Sequence, residues 1–501
     1  MERAPFGCLT DEPPWYLITP MLKCVTPDQS LFISLFHREK GIFDPGVANP
    51  VKAMVKINVQ IRDLRAIKEA SIDLEGITVL SGLNASGKST ISRLLYYVGY
   101  YANGYQSLLE TSLFNELLPI LTFLYQNIIG LGAKLLTKPH FPLSALLSKE
   151  DIFEREEDIH DCITVIREVF AFGEQVKKVD RERLGKLMGK TINRREVYLH
   201  TLDELDEKVG EIYRRYNKDL LDRPVTPLVS SLRSDFPGAE EDLVEHISVS
   251  EEETVILGPH RKTLGQFSSL DHIFYIDTPM ITMMPRISQG EEGRLPLNWE
   301  ELIPLFYEEE GTAAPASEET QCILETIEEV SGGSIKLPRH EQGTSRKMRS
   351  FFIGKDGNSY PLSEVATGIK SFAILQCLLK RGLIHRQTVL VLDEPEAHLH
   401  PQWIVEYARI ILLMHQQLGV RFLIASHSPD FVQALYRIAN EYYGETLTKG
   451  LSFYLSESSG EEGGGGYAFK NIGNDIGEIF DCYNISYEKM DQYAGGGEDE
   501  E

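Results

Sequence analysis

Three short stretches bring together residue types that can do chemistry. The first, "GLNASGKS" from Gly82 to Ser89, fits G-x-x-x-x-G-K-[ST] between a strand-like "ITVLSG" and a helix-like "STISRLLYYVGYYA". Glycines let backbone N–H groups curl around phosphates, and a helix N-terminus adds its positive dipole. Asn84, Ala85, Ser86 and Gly87 would form that cradle. Lys88 would reach the β and γ phosphates, the Ser89 hydroxyl would bind Mg²⁺, and Thr90 would brace a neighbouring phosphate oxygen.

The second stretch, "VLVLDEPEAHLHPQW", sets two carboxylates, a third acid and two histidines behind an apolar run. A buried central strand ending at the ligand crevice would look like this. Asp393 is then placed to hold the Mg²⁺ shell, and Glu394, pointing to the other side, to polarise an attacking water. The rival is a transition-metal centre of Glu396, His398 and His400, but Pro395 and Pro401 bracket a turn, where H-x-H spacing does not align two imidazoles.

The third, "LIASHSPDF", puts His427 just beyond another buried strand, where it can hydrogen-bond a γ-phosphate or serve the fold alone. A further segment, "SEVATGIKSFAIL", opens an amphipathic helix with Thr367 and Gly368. By itself this is an ordinary N-cap; beside two nucleotide motifs it becomes a second anion site.

Such residues need a scaffold, and the 501-residue chain, 42% hydrophobic, is long enough for a large core. Lys plus Arg number 50 against 75 Asp plus Glu, a net charge of −25, so a polyanion is repelled at long range and nucleic acid would need a local basic patch. The candidate patch gathers Lys177, Lys178, Arg181, Arg183, Lys186, Lys190, Arg194 and Arg195; its alternative is a solvated helix face. Cys8, Cys24, Cys162, Cys322, Cys377 and Cys482 form no C-x-x-C pair, which argues against a disulfide framework or zinc knot and for a reducing cytoplasm. No signal peptide is visible. The apolar run Leu117 to Ala133 is broken by Pro119, Gln126 and Asn127, which favours a buried or interfacial helix over a membrane span.

Strands alternating with helices predict an α/β fold with a mixed, mainly parallel sheet. The expected divisions are an N-terminal extension 1–53, with Met54 as the native start; a phosphate-loop part 54–100; a helical insertion 101–270; a second part 271–490; and a disordered acidic tail 491–501. The "KDGN" sequence between "RSFFIG" and "SYPL" signals a hairpin.

In order and spacing these motifs resemble the ABC-type ATPase heads of the RecF, SMC and OLD group, a P-loop NTPase fold, and especially the AAA_15/AAA_21-like single-chain ATPases of bacterial phage-defence systems. The carrying residues lie in about 54–95 and 334–435. The resemblance implies an enzyme that binds ATP with Mg²⁺ and hydrolyses it, with Asp393 as Walker B aspartate, Glu394 as base and His427 as switch histidine. It makes Glu396 to Pro401 the loop where two heads meet and puts Thr367 and Gly368 in the signature loop, although "VATGIKS" departs from "LSGGQ". It leaves the loop glutamine of the Mg²⁺ shell unplaced. It further implies a homodimer or higher oligomer sandwiching ATP between heads, and control of a nucleic-acid transaction or of a separate effector, such as a nuclease subunit, in anti-phage defence. A slow ATP-gated scaffold and a RecF-type repair ATPase are the alternatives.

Overall fold

The computed structural model describes residues 54–131, 156–171, 175–236, 243–284, 295–308, 316–338, 349–443, 450–459, 465–473 and 475–480. All belong to the compact unit Met54–Glu501; the 1–53 extension and the 491–501 tail lie outside the described residues.

The chain opens with two antiparallel strands, β1 (Ile57–Leu64) and β2 (Ile67–Leu74), then β3 (Ile77–Gly82) and helix α1 (Lys88–Asn103). The alternating burial of β1 and β2 contrasts with β3, where every residue is buried. Helices follow: α2 (Tyr105–Leu131), α3 (Glu156–Ala171), α4 (Lys178–Met188), α5 (Arg195–Asp222) and α6 (Thr226–Asp235). The chain then returns to strands with β4 (Ile247–Glu251), β5 (Thr254–Leu257) and β6 (His272–Ile276).

After the short α7 (Leu297–Leu302) and α8 (Glu318–Ser331) come β7 (Gly333–Lys336), β8 (Phe351–Gly354) and β9 (Ser359–Pro361). These form a separate antiparallel sheet, and the expected hairpin turns at Gly357, whose φ of 77° suits glycine. The last part is α9 (Thr367–Lys380), β10 (Thr388–Asp393), α10 (Pro401–Leu418), β11 (Arg421–Ala425), α11 (Pro429–Ile438), β12 (Leu451–Ser458) and β13 (Tyr467–Gly473).

Ten strands make one sheet in the order β5-β4-β1-β2-β13-β12-β3-β11-β10-β6. The run β12-β3-β11-β10-β6 is parallel, whereas β5-β4-β1-β2 is an antiparallel wing, so the sheet is mixed as its sequence predicts. One boundary differs from expectation. Residues 247–257, read as the end of the helical insertion, are β4 and β5, and β4 pairs with β1 from Ile57↔Glu251 to Ile61↔Ile247. The partner strand lies far away in sequence, and an acidic stretch masks the alternation. The helices of the insertion therefore end at Asp235, not near residue 270.

Both faces of the parallel region are covered, which explains its uninterrupted apolar runs. Val389 and Val391 of β10 pack with Ile91, Leu94 and Leu95 of α1, while Leu390 and Leu392 pack with Phe372 and Leu375 of α9 and Ile411 of α10. Each such side chain contributes about 1.5–3 kcal/mol when fully buried. The insertion has its own core, in which Leu117, Ile120 and Leu124 of α2 meet Ile163 and Ile166 of α3 and Leu202, Leu205 and Val209 of α5. Tyr105–Ile128 is long and apolar enough to cross a membrane, yet this stripe is engaged by α3 and α5.

Candidate functional site: a phosphate loop facing an acidic strand end

The parallel strands β3, β10 and β11 end on the same edge, and that edge collects the chemistry. Beyond β3 the chain turns through Gly82 at φ 125°, Ala85 at φ 63° and Gly87 at φ 103° before α1 begins. A Cβ on Gly82 would stand 2.0 Å from Ser456 Oγ, and one on Gly87 would stand 2.5 Å from Ile67 Cγ1, so both glycines are required by space as well as by φ. Gly87 is the N-cap of α1 and brings no side-chain hydrogen bond, which leaves the first-turn donors to a ligand.

Asn84 and Ala85 are exposed, whereas Ser86 is fully buried and its hydroxyl makes no protein hydrogen bond. Lys88 is also buried; its Nζ donates to the carbonyls of Gly82 at 2.9 Å and Leu83 at 2.8 Å. Burial holds its pKa below the usual lysine value, opposed by the charges of Glu394, Asp393 and Glu396. Ser89 donates from Oγ to Asp393 Oδ1 at 3.1 Å, joining the two motifs the sequence set apart. Thr90, half-buried, follows in the same turn.

Asp393 shares its face of β10 with Val389 and Val391, the face that meets α1. Its other oxygen, Oδ2, accepts from the Tyr275 hydroxyl at 2.8 Å. Burial raises the Asp393 pKa, while the bonds from Ser89 and Tyr275 act against that rise. The backbone then breaks at Glu394, whose φ of 48° is costly for a residue with a Cβ. Its N–H donates to Ala425 O at 2.8 Å, and its Oε1 lies 3.2 Å from His427 Nδ1. Glu394 and His427, 33 positions apart by their numbers, are thus neighbours.

Glu396, His398 and His400 do not act as one ligand set. Buried Glu396 accepts from Ser426 Oγ at 2.7 Å and from His427 N at 3.3 Å, anchoring the segment after β11, and burial raises its pKa. His400 instead caps α10 by accepting from Gln402 N. Thr367 and Gly368 begin α9, whose N-cap Ala366 likewise offers no side-chain bond. Gly368 is buried against the loop after β10: a Cβ there would lie 2.8 Å from the Trp403 ring and 3.3 Å from His398 O. The start of α9 thereby rests on Trp403 and on the loop containing Glu396 to Pro401.

Sequence reasoning missed Tyr275 and Asp277, both at the end of β6. That strand pairs in parallel with β10, so its end lies beside Asp393, a proximity with no signal in local sequence. Asp277 accepts from Trp299 Nε1 at 2.9 Å, and burial raises its pKa. The basic cluster is largely engaged within the chain. Lys178 pairs with Glu182 and Arg183 with Asp180, Lys190 binds Glu204, and Arg181 and Arg195 donate to the carbonyls of Asn193 and Phe170.

Residues 292–433 match the family described as "AAA domain, putative AbiEii toxin, Type IV TA system". The energy-coupling factor transporter ATP-binding protein EcfA3 of Clostridium perfringens is 32% identical over 108 residues, 21% of this chain and 36% of that protein. The chain thus spans about a third of that relative's length. Among solved structures, the SMC head domain from Thermotoga maritima is similar at 10% identity, covering 84% of this chain and 99% of that one with a TM-score of 0.32. An ATP-binding cassette of an ABC transporter in its ADP conformation is similar at 11% identity, covering 86% and 98% with a TM-score of 0.31. The family match and the motif geometry agree with a P-loop ATPase fold built on a mixed, mainly parallel sheet.

Proposed function

We propose that this chain is an ATPase that binds ATP with Mg²⁺ at the β3–α1 loop and hydrolyses it when two heads close on the nucleotide. The observation that carries this reading is the convergence of Ser89, Asp393, Glu394 and His427 on one strand edge. The residues fit the group: two glycines whose Cβ positions are filled, an α1 terminus with free donors, and a lysine aimed into its own loop.

Asn84 to Thr90 would hold the phosphates, Lys88 exchanging its two carbonyl acceptors for phosphate oxygens. Ser89 and Asp393 would hold Mg²⁺, which when bound neutralises charge on the β and γ oxygens. Glu394 takes a proton from water as the water oxygen bonds to the γ phosphorus and the bond to the ADP oxygen breaks. His427, whose Nδ1 lies 3.2 Å from Glu394 Oε1, would serve as the switch residue beside that base. Thr367 and Gly368 would close the site of a partner head, so nucleotide and head pairing are linked.

The family description, a putative toxin of a type IV toxin–antitoxin system, favours a defence role. Head pairing would, in the same proposal, control a partner effector. A net charge of −25 and a basic cluster engaged within the chain favour a protein effector over nucleic acid. Unbridged thiols at Cys162 and Cys377 support a cytoplasmic setting. Steady-state phosphate release tests the core of the reading. Glu394→Gln is expected to lower turnover about a hundredfold while nucleotide binding persists, as loss of a general base does. Unchanged turnover would instead favour the slow ATP-gated scaffold.

A further inference from the structure

Asp393 is held from two sides, and only one of them belongs to the nucleotide motifs. Ser89 donates to Oδ1 at 3.1 Å from the phosphate loop, and Tyr275 donates to Oδ2 at 2.8 Å from the neighbouring strand. In the β6–β10 register Tyr275 stands opposite Val391, so Asp393 is its diagonal neighbour on the same face. The long tyrosine side chain spans that diagonal and brings its hydroxyl onto Oδ2.

The ring that carries this hydroxyl has little freedom. Tyr275 is 3% exposed, its ring lies 5.8 Å from that of Tyr96 on α1, and its carbonyl accepts from Asn298 Nδ2 at 3.1 Å. Core filling alone needs only a phenyl ring. The hydroxyl adds a donor aimed at a carboxylate, 2.8 Å from Asp393 Oδ2.

We infer that Tyr275 is a positioning residue, whose O–H fixes the Asp393 carboxylate so that the oxygen shared with Ser89 faces the Mg²⁺ position. The inference rests on the reading of Asp393 as a Mg²⁺ residue. Without the bond the carboxylate turns about its own side-chain torsion and Mg²⁺ must select one orientation among several, which weakens metal uptake without touching the phosphate cradle.

The test is a Mg²⁺ titration of binding to a fluorescent ATP analogue by the full chain, with a melting curve for each variant. Tyr275→Phe is expected to raise the half-saturating Mg²⁺ concentration about tenfold, the scale of a hydrogen bond to a charged group, with Mg²⁺-free affinity unchanged. Tyr96→Phe removes an equally buried hydroxyl that bonds Glu301 instead, and is expected to leave the Mg²⁺ requirement where it was. If Tyr275→Phe matches the parent while Asp393→Asn raises the requirement, the positioning role is overturned and the Mg²⁺ reading stands. An unchanged requirement in Asp393→Asn overturns both. Equal shifts in the two tyrosine variants would make the effect one of packing and overturn the inference.

Discussion

At the scale of single residues, burial sets most of the site's electrostatics. Lys88 is sequestered in a loop it closes with its own amine, so in the proposed mechanism a phosphate would replace carbonyl bonds, not water. Lys88→Ala is expected to abolish detectable ATP binding in isothermal titration while the melting temperature changes little. Glu301, which accepts from Tyr96 at 2.8 Å, has its pKa raised by burial from 4.5 to about 8. The folded state then binds a proton that the unfolded chain releases, so this group's stabilisation is full below pH 4.5 and is lost as pH rises through 8. Urea midpoints measured across that window should fall less with rising pH in Glu301→Gln than in the parent. Identical slopes would show that Glu301 is ionised in the folded protein.

At the scale of elements, helix α9 is fastened to the small sheet as if by an extra strand. Gln376 accepts from Ile335 N at 2.8 Å and donates to Gly333 O at 3.1 Å, both partners lying in β7. The pair is fully interior, so Gln376→Leu would leave the Ile335 N–H unpaired at about 1–3 kcal/mol, while Gly333 O keeps its bond from Ser331 Oγ at 2.9 Å. Denaturant unfolding should register a loss of that order, and a loss below about 0.5 kcal/mol would mean that β7 relaxes away from α9. The same attachment explains why α9 was legible as a helix but its setting was not. Apolar spacing after Thr367 marks a helix, whereas a buried glutamine in that spacing carries no mark of its partner. Strands β4 and β5 were lost to the helical reading for a related reason: their pairing with β1 depends on contacts across nearly two hundred positions.

At the scale of the whole molecule, a charge of −25 on each chain opposes the pairing of heads that the proposed mechanism requires. Light scattering of Glu394→Gln should therefore show a nucleotide-dependent dimer that is strengthened as salt rises from about 0.05 to 0.3 M, because screening removes long-range repulsion. Weakening with salt would point to pairing through opposite charges. The chain's own sequence determined the phosphate loop, the apolar strand ending in Asp393 and Glu394, and the α/β class. These are local patterns, set by side-chain periodicity and by residues whose backbone freedom the turn demands. Tertiary structure alone decided that Tyr275 would hold Asp393, that Glu396 would brace Ser426 instead of joining a metal set, and that His427 would meet Glu394. Those contacts cross between parallel strands whose adjacency follows from packing both sheet faces, and no local spacing encodes which strands become neighbours.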